Sequence, residues 1–516
     1  MANKNLFQTL FGARQPVPDT RNESGGPAWS LSNEQALALF AATGCLEQTF
    51  YATGKEQLEA VLALANACEP RFVAQTAVFA REQGCMKDLP ALLCAVLAVR
   101  DGALLASVFP RVIDSGKMLR NFVQIVRSGQ VGRKSLGTLP RRLVRDWFAA
   151  RSEQQLFDAS IGASPSLADI VKMVHPKPAT PARGNLYAYL IGKPFDASLL
   201  PAEVQQFELF KLGVAALPDI SFQFLSALPL DEAQWRTIAQ RASWTTLRLN
   251  LNTFQRHGVF ACAETTALLA ARLGDAEQVR RAKAFPYQIM TTLFHLDAEI
   301  PAGIRQALTT ALDLSTANVP TLPGRTVVAV DISGSMQSPV TGHRKGSTTA
   351  ATCLDTAALF AAAILRQNPG ATVIPFHDRV CDVVLDASAP VLTTSAQLRA
   401  LPSGGTNCSA VLALLNQRRE SADTVIYLSD NQSWVDAGQG TGTAMLAEWR
   451  RFKHRNRAAR LVCIDLQPYR TVQAPVADDV VHVGGFSDQV FEVLRTVAER
   501  DRSPDLWVDR IRKVAI

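Results

Sequence analysis

An aspartate and two serines with D-x-S-x-S spacing follow a short run of apolar residues. The run, 326–330, is typical of a buried strand, and the motif begins at the next residue. A threonine after a Gly-Gly pair and an aspartate at the end of a second apolar run lie downstream. Carboxylate and hydroxyl oxygens are the ligands that hard divalent cations prefer. The pattern predicts a site for Mg²⁺, or alternatively Mn²⁺, formed by Asp331, Ser333, Ser335, Thr406 and Asp430.

Both carboxylates end strand-like runs, where a doubly wound sheet places its ligands. In such a sheet the binding crevice lies at the carboxyl ends of the strands, where strand order reverses. The combination is typical of the metal site of a von Willebrand factor A (vWA) domain. With few protein charges on it, the cation stays electrophilic and can take an acidic group of a partner as its last ligand. The alternative is a degenerate loop that binds nothing.

The same loop could instead belong to a metal-dependent hydrolase. A phosphatase of the haloacid dehalogenase type would have a second aspartate two residues after Asp331, and that position is Ser333. His343 lies in a loop rich in Gly, Ser and Thr (337–350), where we expect it to be exposed. Because a general base must reach the proton that it takes, the sequence predicts a site without enzymatic activity.

Around this motif, strand-like runs alternate with helix-like stretches. The predicted strands are 326–331, 371–376, 381–385, 424–429, 460–465 and 479–483. The predicted helices are 350–367, 406–420, 442–454 and 487–500. This alternation favours a parallel, doubly wound α/β sheet, so we predict a Rossmann-like vWA domain over 321–516.

The residues before this domain read as helical. Residues 1–28 are polar and carry several Pro and Gly, which predicts an irregular arm. From 30 to about 312, apolar residues recur at helical spacing and breakers interrupt them at short intervals. After a first helix that begins near Ser32, the predicted helices are 56–67, 71–83, 89–100, 103–114, 117–128, 140–151, 166–174, 185–191, 203–213, 231–240, 244–255, 263–273, 275–283, 286–295 and 302–314. Many short helices suggest HEAT-like pairs, although no strict period is present. We therefore predict an α + α/β chain with a helical-repeat domain over 29–320.

Length and composition exclude several protein classes. A chain of 516 residues needs two or three domains. The longest clean apolar run, 91–99, is too short for a bilayer that requires ~20 residues. The nine cysteines are scattered without a C-x-x-C pair and are typical of reduced thiols. The N-terminus lacks the apolar core of a signal peptide, so we expect a cytoplasmic protein that does not bind membranes.

Positive charge concentrates in one stretch of the helical region. Between Arg111 and Arg145 there are nine basic residues and one acidic residue, a net charge of +8. Exposed helices normally mix both signs, so a solvated helical face explains this run less well than a surface for phosphate groups. The candidates for contact with a phosphate backbone in this stretch are Lys117, Arg120, Arg127, Arg133, Lys134, Arg141, Arg142 and Arg145.

Several segments resemble the Ro autoantigen family, also called TROVE proteins. The resemblance covers about 25–500 and is most specific in the metal loops and in a His-Pro-Lys segment. The similar segments are Leu46–Thr53, Lys87–Ala91, Leu167–Lys177, Trp244–Gly258, Gly404–Cys408 and Ser429–Trp434. The chain departs from the family pattern at Gly137-Thr138 and at Leu247–Leu251.

The resemblance implies a ring of helical repeats, sealed by the vWA domain, that binds RNA without catalysis. It implies that single-stranded 3′ ends of misfolded noncoding RNA enter the hole, and that Y-like RNA binds a basic outer face. It also implies cooperation with an exoribonuclease. By position, Lys172, His175 and Lys177 would lie near the hole or the outer face. We expect a monomer.

Aromatic side chains could stack on RNA bases. The candidates are His175, Tyr187, Tyr189 and Trp244, for which core packing or a capped helix end is the alternative. Two functions remain open: an RNA-binding ring for quality control, or a protein-interaction scaffold whose metal holds an acidic partner.

Overall fold

The chain forms two compact units, neither of which is continuous in sequence. The computed structural model describes residues 17–43, 46–316, 319–343, 351–430, 432–433, 443–467, 469–485, 489–498 and 505–516. The first unit contains the described residues up to Gln57 and those from 319 to Asp509. The second contains Leu58–Thr316 and Arg510–Ile516.

This division differs from the predicted boundaries at 29 and 320. Residues 29–57 belong to the sheet-containing unit because Trp29, only 5% exposed, packs into its core. The last seven residues belong to the helical unit, where Gln75 donates hydrogen bonds to the carbonyls of Arg512 and Val514 at 2.6 and 2.9 Å. Both contacts join segments more than 400 positions apart, which local patterns do not reveal.

The described part of the predicted irregular arm is ordered. Strands β1 (Thr20–Arg21) and β2 (Pro27–Ser30) pair antiparallel, and helix α1 (Asn33–Thr43) follows. The turn between the strands is held by the Asn22 side chain, whose oxygen accepts from the backbone of Ser24 at 3.1 Å and Gly26 at 2.8 Å. Asparagine commonly stabilises turns in this way. The predicted arm is therefore a hairpin from Thr20 onwards.

The second unit is helical, as predicted. The chain enters it through α2 (Gly54–Ala67), and its further helices are α3 (Pro70–Glu82), α4 (Asp88–Arg100), α5 (Gly102–Val112), α6 (Gly116–Arg127), α7 (Thr138–Ala149), α8 (Glu153–Ala159), α9 (Leu167–Val174), α10 (Pro181–Leu190), α11 (Ala202–Lys211), α12 (Phe222–Leu225), α13 (Glu232–Arg241), α14 (Trp244–Leu249), α15 (Leu251–Arg256), α16 (Ala263–Leu273), α17 (Ala276–Ala282), α18 (Pro286–Phe294) and α19 (Ala302–Ser315). Short 3₁₀ turns occupy Ala197–Leu199 and Val259–Ala261. Helices close in sequence pack together: α3 contacts α4 and α5, and α4 also contacts α6.

Side-chain hydrogen bonds explain where several of these helices begin and break. Ser152 and Ser166 form capping boxes at the starts of α8 and α9, which satisfies amides that have no partner inside the helix. The single helix expected over 244–255 is divided at Asn250, whose side chain donates to the Thr246 carbonyl at 2.8 Å. Side chains that bond the backbone in this way compete with the helix.

The first unit contains a parallel sheet, as predicted. Its strands are β3 (Thr326–Asp331), β4 (Thr372–Phe376), β5 (Thr424–Ser429), β6 (Arg460–Asp465) and β8 (Val480–Gly484), while β7 (Thr471–Val472) pairs with β2. Its helices are α20 (Cys353–Gln367), α21 (Val391–Arg399), α22 (Ala410–Gln417), α23 (Ala444–Arg455), α24 (Gln489–Ala498) and α25 (Leu506–Arg512), which ends in the other unit. The five parallel strands run in the order β4-β3-β5-β6-β8.

Two properties of this sheet matter for the site. Strands β3 and β5 are buried along their whole length, as expected when helices cover both faces. Strand order reverses between them, because β4 lies on the far side of β3. The crevice at the carboxyl ends of β3 and β5 is therefore the expected ligand position.

One predicted strand is wrong. Residues 381–385 form no strand. Val380 makes an isolated bridge with Phe376, and the Cys381 amide donates to the Pro375 carbonyl at 2.8 Å. The pairing does not continue, and Val384 is 94% exposed. Val384 therefore faces solvent, while Val383 and Leu385 are half-buried. Among the described residues, no helix is both long and apolar enough to cross a bilayer.

Candidate metal centre and basic helical surface

The predicted metal ligands converge at the carboxyl end of the sheet. Asp331 ends β3 and Asp430 directly follows β5, the strand paired in parallel with β3. The Gly334 amide donates to the Gly404 carbonyl at 3.0 Å, which joins the serine loop to the loop that carries Thr406. The fold thus brings together three loops that together span about a hundred residues of sequence, from Asp331 to Asp430.

All five side chains are buried. Their exposed fractions are at most 3%, for Asp331, Ser333, Ser335, Thr406 and Asp430. Oδ1 of Asp331 accepts from the Ser333 amide at 2.9 Å, and Oδ2 accepts from the Ser429 hydroxyl at 2.6 Å. The hydroxyls of Ser333 and Ser335 lie 3.3 Å apart. The site is therefore arranged by hydrogen bonds before any ligand is considered.

Asp430 is poorly satisfied by comparison. Its Oδ1 accepts a long hydrogen bond, 3.4 Å, from the Gln432 backbone amide, and the nearby Ser335 hydroxyl lowers its pKa. Its Oδ2 is buried and has no hydrogen-bond partner in the described part of the chain. Burial, together with the charge of Asp331, raises the pKa of Asp430 to about 7. Burial also raises the pKa of Asp331, against the opposing effect of its hydrogen bonds with Ser333 and Ser429.

This donor set fits a hard divalent cation. An unpaired buried carboxylate is costly, and a cation beside Asp430 and Asp331 would remove that cost. Two carboxylates with three hydroxyls suit Mg²⁺ or Mn²⁺ rather than Zn²⁺, which prefers His and Cys. The described residues contain no cluster of three or more His, Cys, Asp or Glu suited to a metal, so a cation here would depend on the hydroxyls.

Two residues at this site were missed by sequence reasoning. Ser429 reads as an ordinary strand residue, yet it holds Asp331 through the hydrogen bond given above. Tyr51 comes from the N-terminal segment, and its phenol lies close enough to Ser24 and Ser335 for both serines to lower its pKa. Burial and the charges of the two aspartates raise the pKa of Tyr51. The feature of the sequence that could have identified Ser429 is its position at the end of β5, directly before Asp430.

Three of the residues predicted to contact RNA donate side-chain hydrogen bonds to backbone carbonyls of the protein. Arg120 donates to the Ala159 carbonyl at 2.9 Å, and Arg133 donates to the Ala98 carbonyl at 2.8 Å. Arg145 donates through Nε to the Val174 carbonyl at 2.6 Å. These arginines fix helix ends and loops, and their remaining N–H groups are available to a ligand.

The other candidates extend into solvent. Their side chains are exposed and form no hydrogen bond with the described residues: Lys117, Arg127, Lys134, Arg141, Arg142, Lys172, His175 and Lys177. The Arg145 bond to Val174 places α7 beside the end of α9, where His175 adopts a left-handed backbone with φ 49°. The two groups that the sequence places separately therefore lie on neighbouring elements.

A surface groove adds a further cation. It has a volume of about 420 Å³ and is lined in part by Lys117, Arg120 and Arg151. Arg151 was not predicted. Its guanidinium lies 3.6 Å from the centre of the Trp147 ring, a cation–π contact that holds it in place. Asp114 also lines this groove, so the groove is not uniformly positive.

Most of the proposed stacking aromatics belong to the core. Tyr187 and Trp244 are 7% and 5% exposed. The indole of Trp244 donates to the Leu273 carbonyl at 3.1 Å, and the hydroxyl of Tyr189 donates to Glu208 at 2.6 Å. Of the four, His175 alone is exposed. It is therefore the one residue of the predicted set that is accessible for stacking on a base.

Comparisons with known proteins agree with the geometry. Residues 325–498 match the family model of the Ro60 vWA domain. A protein of Deinococcus radiodurans named RNA-binding protein RO60 is 24% identical over 96% of this chain and 99% of its own length. The crystal structure of the D. radiodurans RO (RSR) protein has the same fold, with a TM-score of 0.63 and 21% identity, over 90% of this chain and 99% of that one. The resemblance to the Ro family and the vWA fold are therefore confirmed.

Proposed function

We propose that this chain binds RNA through the basic surface of its helical unit and catalyses no reaction on it. One observation carries the proposal: Arg145 joins α7, the helix of Arg141 and Arg142, to the end of α9, which His175 and Lys177 follow. Exposed guanidinium and ammonium groups neutralise phosphates without reading sequence. The name of the Deinococcus relative supports an RNA ligand.

The finer form of the proposal follows the family. The helical unit would form a ring that accepts single-stranded 3′ ends of misfolded or structured noncoding RNA. A Y-like RNA would bind the outer basic face, and an exoribonuclease would act on the captured RNA during quality control, turnover or maturation. We propose that the protein acts as a cytoplasmic monomer.

A binding experiment with a charge-reversed variant tests this function. The double variant Arg141→Glu, Arg142→Glu should bind a hairpin RNA with a single-stranded 3′ tail more weakly. Its dependence of log K on log salt should be shallower by about two, one unit for each lost phosphate contact. Filter binding between 50 and 200 mM salt measures both quantities.

The matched control is Arg281→Glu. Arg281 is exposed and lies on α17, which packs against α14, α16 and α19 rather than against α7 or α9. This control should bind RNA like the unaltered protein. Equal RNA affinity of the double variant and the control would contradict the proposal. Crosslinking in the native cells, followed by sequencing, would then identify the bound RNA or show only background.

The unsatisfied Oδ2 of Asp430 favours a second function, metal-dependent binding of a protein partner. We propose that Asp331, Ser333, Ser335, Thr406 and Asp430 hold Mg²⁺ or Mn²⁺. When bound, such a cation offers a Lewis-acidic position for a partner's carboxylate. Asp331→Ala should abolish capture of that partner and leave RNA affinity unchanged. Loss of RNA binding in this variant would show that the two functions are not separate.

A further inference from the structure

The loops of the proposed metal site contact two stretches of the N-terminal segment. We call residues 20–30 and 46–52 together the strap. Both stretches belong to the same unit as the sheet. The predicted metal motif contains none of these residues, so their contacts were not anticipated from the sequence.

The first stretch of the strap grips the loop after β5. The Asn22 amide group donates to the Ser433 carbonyl at 2.5 Å, and the backbone of Glu23 donates to the side chain of Gln432 at 2.9 Å. At Gly26 a Cβ atom would lie 2.7 Å from the Ser433 carbonyl oxygen, so this close approach requires glycine. The backbone amide of Gln432 in turn donates to Oδ1 of Asp430 at 3.4 Å. A single residue, Gln432, thus connects the hairpin to the carboxylate of Asp430.

The second stretch contacts the serine loop. The His343 amide donates to the Gln48 carbonyl at 2.8 Å. A turn closed by the Thr49 amide on the Ala52 carbonyl, also 2.8 Å, follows. It presents Tyr51, whose ring packs edge-on against Tyr469 with centroids 5.8 Å apart. The Tyr51 phenol lies beside Ser24 of the first stretch and beside the predicted ligand Ser335.

The chemistry of a metal-bound hydroxyl gives this contact a direction. A cation held by the Ser335 oxygen would draw electron density from it and make its O–H a stronger hydrogen-bond donor. The phenol oxygen of Tyr51 can accept that proton, and its own O–H can be donated to Ser24. A cation held by Ser335 and Asp430 would also fix Asp430, which accepts from the Gln432 backbone amide, and Gln432 in turn accepts from the backbone of Glu23. Metal binding would therefore favour the docked strap.

We propose that Tyr51 is a positioning residue of the metal site, and that strap docking and metal binding stabilise each other. This inference rests on the proposed metal site. Because coupling between two binding events is reciprocal, loosening the strap should weaken metal binding by the same factor by which metal tightens the strap.

Mn²⁺ affinity, measured by electron paramagnetic resonance on the full chain, tests the first half of the coupling. Tyr51→Phe removes only the hydroxyl and should weaken Mn²⁺ binding about threefold to tenfold, as expected for one hydrogen bond. Asn22→Ala should weaken it comparably. The control Tyr189→Phe removes a hydroxyl that bonds to Glu208 in the other unit, and should leave Mn²⁺ affinity unchanged.

Hydrogen exchange tests the other half. Saturating Mg²⁺ should slow exchange of the Glu23 and His343 amides, which bond across the strap contacts, by a factor matching the loss of Mn²⁺ affinity in Asn22→Ala. Tight Mn²⁺ binding that Tyr51→Phe and Asn22→Ala leave unchanged would overturn the coupling alone. A flat titration of the unaltered protein, the same as for Asp331→Ala, would overturn the metal site and the coupling with it.

Discussion

The candidate metal centre and the basic surface hold their side chains in opposite ways. At the end of the sheet, five donors are at most 3% exposed and hydrogen bonds already orient Asp331 and its neighbours. On α7 and α9, the cations at Arg141, Arg142 and Lys172 are exposed and make no hydrogen bond to described residues. In the first region the positions of the side chains are fixed, whereas in the second region the side chains supply positive charge without fixed positions.

This difference determines how each region should respond to substitution. A pre-arranged centre loses function when one atom changes, because each ligand and its supporting partner are fixed relative to the others. A charged surface loses affinity in increments, because each phosphate contact adds a similar and salt-dependent share. Substitutions in the two regions should therefore differ both in size and in salt dependence.

The largest expected effect is that of Asp430→Asn. The amide keeps the shape of the carboxylate but removes its charge, so metal affinity should fall by more than about 100-fold, beyond the roughly 10–100-fold lost with an outer partner. Without metal the variant should be at least as stable as the unaltered protein, because a buried charge without a partner has been removed. Calorimetric titration with Mn²⁺ and thermal unfolding measure the two effects. Asp423→Asn, just before the opposite end of β5, is the control.

Ser429→Ala should have the next largest effect. It deletes the hydroxyl that donates to Oδ2 of Asp331 at 2.6 Å and should weaken metal binding by about 10–100-fold. Ser315→Ala removes a buried hydroxyl in the helical unit and should leave the metal titration unchanged. Normal metal binding by Ser429→Ala would show that hydrogen bonds do not pre-arrange this site, and the contrast between the two regions would not hold.

The smallest effects should come from the basic surface, where two neighbouring arginines sharpen the contrast. Arg141→Ala should weaken RNA binding about fivefold near 0.15 M salt, the share of one phosphate contact, without changing stability. Arg145→Ala should also lower the free energy of unfolding by about 1 kcal/mol, because it loses its bond to the Val174 carbonyl. Urea unfolding and filter binding separate the two. Equal stability of both variants would show that the Arg145 bond contributes nothing.

Sequence patterns predicted the elements of the fold because those patterns are local. Apolar runs defined β3 and β5, and the carboxyl ends of parallel strands meet at one edge, so the convergence of Asp331 and Asp430 could be expected. Helical spacing also predicted nearly every helix from α2 to α19, except the short α8 and α12 and the break at Asn250.

What the sequence could not show depends on contacts distant along the chain. Nothing near Tyr51 indicates that its hydroxyl reaches Ser335. Charge counting gave equal weight to Arg141 and Arg145. Of these two side chains, only that of Arg145 donates to a carbonyl of the described chain. The assignment of Trp29 to the core of the sheet unit likewise depends on tertiary packing.

The discontinuous units have a consequence for synthesis on the ribosome. Strand β2 is made early, but its partner β7, at Thr471–Val472, is made about 440 residues later. At about 5–20 residues per second, the hairpin waits roughly 20 to 90 seconds for that partner. The helical unit waits as well, because Gln75 bonds to residues near the other end of the chain. During translation, Trp29 therefore remains an exposed apolar surface that chaperones can recognise, and both units complete their packing almost simultaneously at the end.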